Sequence, residues 1–371
     1  MSVVSMGLPS CELGVTLRGA TLRFRMTSRF FLIGRANLQW LLISKKEEAG
    51  DLDRGEELTS MRLKAGVVQA ATVGGNTVAT VDKAVSLIFE CGTRGAQLAV
   101  FPEALIGGYP HGARFGAFFG GRTAKGRDEF AAYFESAIEV PGKETATLGA
   151  AAREAEMYVV IGVIERDGGT LYCTALFLGP DGSLLGKHRK LMPTAFERLC
   201  WGLGDGSTLA TVDTPWGKLG AVICWENYMP LMRMAMYGQG IALYCAPTAD
   251  DREAWTSTMR HIAMEGRCFV LSACQYLTRA DFPAGMDNHV SDEADHVLMR
   301  GGSVIVDPMG DVLAGPDFGG ETILIAELDM RQVARGKFDF DVAGHYSRSD
   351  IFRLDVDALP KPSVQLNTEM T

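Results

Sequence analysis

The chain has 371 residues, of which 47% are hydrophobic and 22% charged, which is a globular composition with room for one large domain or two small ones. Its formal net charge of −9 gives no indication of a basic surface, so nucleic acid is not an expected partner. The best N-terminal membrane candidate, residues 30–43, is interrupted by Arg35 and Asn37, so no membrane span is predicted.

Residues 1–60 carry mixed charge and weak periodicity, and we interpret them as an extension ahead of the main domain. Gly55-Glu56-Glu57 must be encoded by purine-rich codons, which can serve as a ribosome-binding site. Met61 follows at a plausible spacing and is our predicted biological start. The alternative is a disordered or loosely docked extension. The intact mass of the protein made from its native gene distinguishes the two.

From Met61 onward the pattern alternates between strands and helices, which predicts an α/β domain over residues 61–355, followed by a tail over 356–371. The predicted helices are 78–92, 128–136, 144–156, 229–237 and 252–267. The predicted strands are 62–70, 97–101, 158–164, 171–178, 183–189, 208–212, 218–223, 241–246, 269–273, 303–306, 312–314 and 323–328. Turn sequences at 179–182, 215–217 and 308–311 predict hairpins, which argues against a purely parallel sheet.

The first candidate for chemistry is Glu103, in the segment Phe-Pro-Glu-Ala-Leu-Ile-Gly-Gly-Tyr-Pro (101–110). It follows an apolar strand and precedes a loop rich in glycine and proline. Desolvation at such a place raises the pKa of a carboxyl group, which suits a general base. The alternative is a loop carboxylate that faces water.

The second candidate pair is Lys190 and Glu197, in the segments Lys-His-Arg-Lys-Leu-Met-Pro-Thr (187–194) and Glu-Arg-Leu-Cys-Trp (197–201). A solvated basic run is the alternative for Lys190, but the apolar residues that follow it favour the interior. A buried ammonium needs a partner, and Glu103 and Glu197 are the candidates. The alternative for Glu197 is an exposed salt bridge with Arg198.

The third candidate is Cys224, in Gly-Ala-Val-Ile-Cys-Trp-Glu-Asn-Tyr-Met-Pro (220–230). An apolar strand runs into the cysteine and a helix is predicted from near Met229, which is the context of a nucleophile elbow. A helix N-terminus and a nearby lysine would lower the pKa of the thiol and favour thiolate. The alternative is an inert cysteine in the core.

The remaining cysteines and the histidines show no sign of a metal site or a disulfide framework. The chain has eight cysteines without a CxxC pair, several of them in apolar runs, and six scattered histidines without an HExxH motif. This predicts reduced thiols in a cytoplasmic protein, with no metal and no other cofactor.

Taken together, the segments 101–110, 188–194 and 224–230 resemble the nitrilase family, and the resemblance extends over about residues 63–354. It implies a four-layer α-β-β-α sandwich, with Glu103, Lys190 and Cys224 as the catalytic triad and Glu197 as a fourth acidic member. Tyr109 and Trp225 are candidates for shaping the substrate pocket. Plain core aromatics are the alternative for both.

The resemblance implies hydrolysis of an organic nitrile to a carboxylic acid and ammonia through a covalent thioimidate and thioester. An amidase, a carbamoylase or a cyanide-hydrating relative would use the same residues, although Cys-Trp-Glu looks like the nitrile-cleaving branch. A catalytically silent assembly or sensor protein is disfavoured because all four residues are present. The family also implies homodimers that pair through helices 229–237 and 252–267 and build larger oligomers or spirals.

Overall fold

The computed structural model describes residues 12–17, 20–25, 61–362 and 364, and the chain divides into two compact units at residue 57. In the first unit, strands β1 (Glu12–Leu17) and β2 (Ala20–Arg25) pair antiparallel. Most of the predicted extension, and the end of the predicted tail, lie outside the described residues. The start at Met61 stays a prediction.

The second unit contains all the other described elements. Its helices are α1 (Thr77–Thr93), α2 (Ala124–Ser136), α3 (Lys143–Glu154), α4 (Pro230–Gly238), α5 (Glu253–Gly266) and α6 (Arg331–Asp339). Its strands are β3 (Arg62–Gln69), β4 (Leu98–Val100), β5 (Ala117–Phe118), β6 (Gly121–Arg122), β7 (Tyr158–Asp167), β8 (Thr170–Leu178), β9 (Leu184–Arg189), β10 (Val212–Thr214), β11 (Gly217–Ala221), β12 (Ile241–Cys245), β13 (Phe269–Ser272), β14 (Tyr276–Thr278), β15 (Val297–Arg300), β16 (Ser303–Val306), β17 (Val312–Asp317) and β18 (Thr322–Asp329).

Two six-stranded sheets dominate this unit. The first sheet has the order β18-β3-β4-β7-β8-β9 and the second the order β10-β11-β12-β13-β16-β17. In both sheets the second, third and fourth strands run parallel to one another, and every other neighbouring pair is antiparallel. The hairpins predicted from the turn sequences account for β8–β9, β10–β11 and β16–β17, so the prediction of mixed sheets is confirmed.

The apolar faces of the elements define four layers. One buried cluster joins the facing sides of the two sheets, with Val67 and Phe177 from the first and Leu243 and Phe269 from the second. A second cluster packs the outer face of the first sheet against α1 and α3, and a third packs the outer face of the second sheet against α4 and α5. Successive residues of a strand point to opposite faces of the sheet. Strands that are apolar at nearly every position therefore need a covering layer on each face, which this arrangement provides. The predicted α-β-β-α sandwich is confirmed.

Several elements differ from the sequence prediction. Helix α6 was not predicted because it is short and largely polar, and it buries only Gly336 among its residues. Strands β14 and β15 fall in a region where no pattern was recognised. The strand predicted at 208–212 begins instead at Val212, because Gly206–Thr208 forms a 3₁₀ turn capped by Asp205.

None of the helices in the described part of the chain combines the length and the apolar character needed to cross a membrane.

Candidate active site

A buried ion cluster lies beyond the ends of β4 and β9 in the first sheet. Lys190 Nζ donates to Glu103 Oε1 at 2.6 Å and to Glu197 Oε2 at 2.7 Å. The side chains of Lys190 and Glu103 have no exposed surface, and that of Glu197 has 7%. A buried ammonium is stable only when it is paired. The two short distances confirm the prediction that Lys190 is buried with Glu103 and Glu197 as its partners.

Glu197 is held on both oxygens rather than turned towards solvent. Its Oε2 also accepts the backbone N–H of Thr194 at 2.6 Å, and its Oε1 accepts the hydroxyl of Tyr109 at 2.8 Å. The alternative of an exposed salt bridge with Arg198 is therefore wrong. Tyr109 is not a plain core aromatic either, because its hydroxyl orients a charged group of the cluster.

Cys224 occupies a sharp turn after β11, in the second sheet. Its backbone has φ of 52°, in the left-handed region that non-glycine residues rarely adopt. Its N–H donates to Pro247 O at 2.8 Å, and the turn continues into a 3₁₀ segment, Cys224–Tyr228, before α4 begins at Pro230. This strained strand–turn–helix is the predicted elbow geometry.

The thiol faces the ion cluster and an open pocket. Glu103 Oε2 is buried, and the Cys224 thiol lies close enough to the Glu103 carboxyl to lower its pKa. The pocket is lined by nine residues: Tyr109, Thr194, Glu197, Cys224, Trp225, Ala249, Asp250, Asp251 and Arg252. A nucleophile, a buried carboxylate and a buried ammonium therefore meet behind one small-molecule pocket.

The carbon-nitrogen hydrolase family matches residues 64–338 of the chain. The chain belongs to this family. The aliphatic nitrilase of Sinorhizobium fredii (strain HH103) is 67% identical over 303 residues, which cover 82% of this chain and 98% of that protein. The bifunctional nitrilase/nitrile hydratase NIT4B of Nicotiana tabacum is 54% identical over 310 residues, covering 82% and 89%. The resemblance to nitrilases inferred from three short segments is confirmed.

Solved structures agree with the fold of this carbon-nitrogen hydrolase. The crystal structure of a carbon-nitrogen hydrolase from Helicobacter pylori G27 has a TM-score of 0.62 and 22% sequence identity, and it covers 79% of this chain and 97% of that one. Saccharomyces cerevisiae Nit3, of branch 10 of the nitrilase superfamily, has a TM-score of 0.57 and 23% identity, covering 77% and 96%. At these identities the likeness concerns the fold.

The electrostatics of the hydrolase site differ from the sequence prediction at Cys224. Burial raises the pKa of the Cys224 thiol, and the charge of Glu103 raises it further, while Lys190 lowers it. The expectation of a lowered pKa is therefore wrong. The physical reason is that Cys224 is buried next to a carboxylate, and that the α-helix starts only after the intervening 3₁₀ segment.

The pKa values of the two neighbouring groups, Glu103 and Lys190, are both raised. Burial raises the pKa of Glu103 although Lys190 opposes it, as predicted for a carboxylate after an apolar strand. Burial by itself would lower the pKa of Lys190, but Glu103 leads the negative groups that raise it well above its ordinary value. At neutral pH the resting site thus holds an ammonium and a protonated thiol, with Glu103 as the group that can accept the thiol proton.

Trp225 forms the outer wall of the pocket. Its side chain is 43% exposed, so the alternative of a core aromatic is wrong. Its Nε1 donates to Asp250 Oδ2 at 2.8 Å, and the Arg252 guanidinium lies 5.1 Å from its ring centre. The indole is thereby fixed beside the nucleophile, where it can contact a bound substrate.

Glu226 was missed by the sequence reasoning although it lies inside the quoted segment 224–230. Its carboxylate accepts the N–H of Leu191 at 2.6 Å and that of Ile223 at 2.8 Å, and it contacts His188 Nε2 at 3.1 Å. One buried side chain therefore connects the residue after Lys190 with the residue before Cys224. Its place next to the nucleophile was the available signal, but its partners are visible only in three dimensions.

Thr248 was also missed. Its hydroxyl lies 3.3 Å from the sulfur of Cys224, a contact that is visible only in three dimensions. Among the described residues, no group of three histidine, cysteine, aspartate or glutamate side chains is arranged to hold a metal ion.

Proposed function

We propose that this chain is a nitrilase, which hydrolyses organic nitriles to carboxylic acids and ammonia with Cys224 as the covalent nucleophile. The observation that carries the proposal is that Cys224 and Glu197 line one pocket, while Lys190 binds Glu197 from the buried side and is itself bound to Glu103. Relatives that are 51–67% identical over more than 80% of the chain are named nitrilases, which supports a nitrile as the substrate. Aliphatic nitriles are the first class to test, because the relative that is 67% identical is named an aliphatic nitrilase.

In the first half of the reaction, Glu103 accepts the proton of the Cys224 thiol, the sulfur attacks the nitrile carbon, and Glu103 passes the proton to the nitrogen to give a thioimidate. Negative charge develops on the nitrile nitrogen during the attack, and the Lys190 ammonium stabilises it. The raised pKa values of thiol and carboxyl fit a proton that moves only when substrate is present.

In the second half, Glu103 accepts a proton from a water molecule that attacks the thioimidate carbon. Glu103 passes this proton to the nitrogen, the hydroxyl proton of the tetrahedral intermediate follows it, and the C–N bond breaks, so that ammonia leaves and a thioester remains on Cys224. A second water attacks the thioester, the C–S bond breaks, and the carboxylic acid is released with the thiol restored. Glu197 keeps Lys190 oriented through both halves, and Tyr109 in turn orients Glu197.

The alternatives of an amidase, a carbamoylase or a cyanide-hydrating enzyme are not favoured, because the relatives at 51–67% identity are named nitrilases. Four of the plant relatives are named bifunctional nitrilase/nitrile hydratases. If ammonia leaves more slowly than sulfur from the tetrahedral intermediate, an amide is released. The assay therefore measures amide beside acid.

We also propose a cytoplasmic homodimer that pairs through α4 and α5 and builds larger oligomers. Apolar side chains on this side are exposed in the single chain, with Leu231 68% exposed and Met264 39% exposed. The seven cysteines within residues 61–362 are all unpaired, which supports a reducing compartment. Light scattering of the purified protein, with Leu231→Arg as the disrupting variant, tests the dimer.

The deciding experiment measures ammonia, acid and amide from aliphatic nitriles, dinitriles, aromatic nitriles and arylacetonitriles, with matched amides alongside. We expect acid and ammonia from nitriles, and loss of both in Cys224→Ala. Cys91→Ala is the matched control, because Cys91 is equally buried but packs in the outer helix layer. Turnover of amides alone would contradict the proposal.

A further inference from the structure

The segment after β12 is tied directly to the nucleophile turn. The N–H of Cys224 donates to Pro247 O at 2.8 Å, and the N–H of Thr248 donates to Ala273 O at 2.9 Å. Thr248 has no exposed surface. Its backbone is thus fixed between two strands of the second sheet, and its side chain has no freedom to turn towards solvent.

The hydroxyl of Thr248 has a defined hydrogen-bond arrangement. Its Oγ1 accepts the N–H of Asp250 at 2.9 Å and lies 3.3 Å from Cys224 Sγ. A hydroxyl has one proton to donate, and among the described atoms Sγ is the acceptor that this proton meets. A protonated thiol can share the contact in either direction, but a thiolate has no proton, so only Thr248 can then be the donor.

We propose that Thr248 is a further catalytic residue, whose hydroxyl donates a hydrogen bond to the Cys224 sulfur whenever the sulfur carries negative charge. The inference rests on the proposed function, because it assumes that Cys224 is the nucleophile. Charge appears on the sulfur twice: when Glu103 removes the thiol proton before attack, and when the C–S bond of the thioester breaks. The same hydrogen bond serves both moments.

The need for such a donor follows from the surroundings of the sulfur. Burial and the charge of Glu103 both disfavour the thiolate, and Lys190 is already held by two carboxylates. The Thr248 hydroxyl acts in the opposite direction and lowers the pKa of Cys224. It is neutral, so it stabilises the thiolate without adding another charge to the cluster.

The test replaces the hydroxyl by a methyl group of nearly the same size in Thr248→Val, and restores it in Thr248→Ser. Thr145→Val is the matched control. Thr145 is also buried, at the start of α3. Its hydroxyl accepts the N–H of Gly142 and donates to Gly142 O, both at 2.8 Å. Both valine variants therefore leave one backbone N–H without its partner, but only one of them touches the sulfur.

The readout is the rate of iodoacetamide addition to Cys224, followed by peptide mass between about pH 6 and pH 10, with steady-state kinetics beside it. Because hydrogen bonds to charged groups contribute about 1.5–3 kcal/mol, we expect Thr248→Val to slow alkylation at pH 8 by about tenfold or more. The pH at which alkylation of Thr248→Val becomes fast should be higher than in the wild type, and kcat for the nitrile should be lower. Thr248→Ser should restore most of both, and Thr145→Val should match the wild type.

An alkylation profile of Thr248→Val that equals the wild type would overturn the proposal, as would a loss that Thr248→Ser fails to restore. If Thr248→Val does not fold, Thr248→Ala is measured in its place and interpreted in the same way. Alkylation does not depend on the substrate. A wild type without nitrile turnover but with the expected alkylation series would refute the proposed function and leave the hydrogen bond established.

Discussion

Replacing Lys190 by methionine removes the positive charge from a fully buried cluster and leaves its volume nearly unchanged. In the wild type Glu103 and Glu197 share the ammonium at 2.6 and 2.7 Å. In the variant these two carboxyl groups would lie close together without a cation between them. Removing one partner from a buried pair costs about 3–5 kcal/mol. For a domain of this size that corresponds to a fall in Tm of about 5–8 °C.

The pH dependence of this loss identifies its cause. Without Lys190, a buried carboxylate must hold a proton, so its pKa in the folded state lies above that in the unfolded chain. Such a group disfavours folding only above the unfolded carboxyl pKa of about 4.3, and the cost grows by up to about 1.4 kcal/mol per pH unit. Lys190 itself stays charged throughout this window in the wild type, because its pKa is raised. Lys190→Met should therefore be nearly as stable as the wild type near pH 4.5 and least stable, relative to it, near neutrality.

The assay is thermal unfolding of Lys190→Met and wild type between about pH 4.5 and pH 7.5. Lys218→Met is the control, because Lys218 forms an exposed pair with Asp213, and such pairs contribute at most about 1 kcal/mol. A Tm difference that is the same at every pH would refute the reasoning, since it would place the loss in packing rather than in buried charge.

Two further predictions concern the side chains around the nucleophile. Glu226→Gln should lower kcat more than it raises KM, because an amide can accept only one of the two backbone N–H groups at Leu191 and Ile223 and faces the other with a donor. Asp307→Asn is its control, since Asp307 also accepts two backbone N–H groups, both on Oδ1, in a distant hairpin turn; a kcat loss of equal size there would contradict a positioning role. Trp225→Ala should raise KM for small aliphatic nitriles by roughly tenfold through lost apolar contact, and should favour bulkier nitriles. Unchanged ratios of kcat/KM across the nitrile panel would contradict its assignment to the pocket wall.

The sequence offered four candidate residues for the reactive cluster, and the resemblance to the nitrilase family implied the layers of the fold. Apolar residues before Glu103 and Cys224 and after Lys190 indicated these three positions, and the resemblance then favoured their functional interpretation. Hairpin turns likewise marked three antiparallel pairs. What these signals share is that each lies within a few residues of the feature it predicts.

The remaining features depend on groups that are distant in the chain. The pKa of Cys224 was predicted in the wrong direction because it is decided by enclosure and by Glu103, which lies far from it in sequence. Thr248 was missed for the same reason, since its hydroxyl gains a function only from the sulfur that it faces. Helix α6 was missed for another reason, because it is short and largely polar and buries only Gly336.

Because the reactive groups come from both sheets, catalysis depends on the relative position of the two sheets. Glu103 and Lys190 extend from strand ends of the first sheet, whereas Cys224 and Thr248 extend from strand ends of the second. A slip of the sheets by even half an ångström would separate base from thiol while every backbone ladder stayed intact. Turnover should then disappear under mild pressure or low denaturant before circular dichroism records any loss of strand or helix.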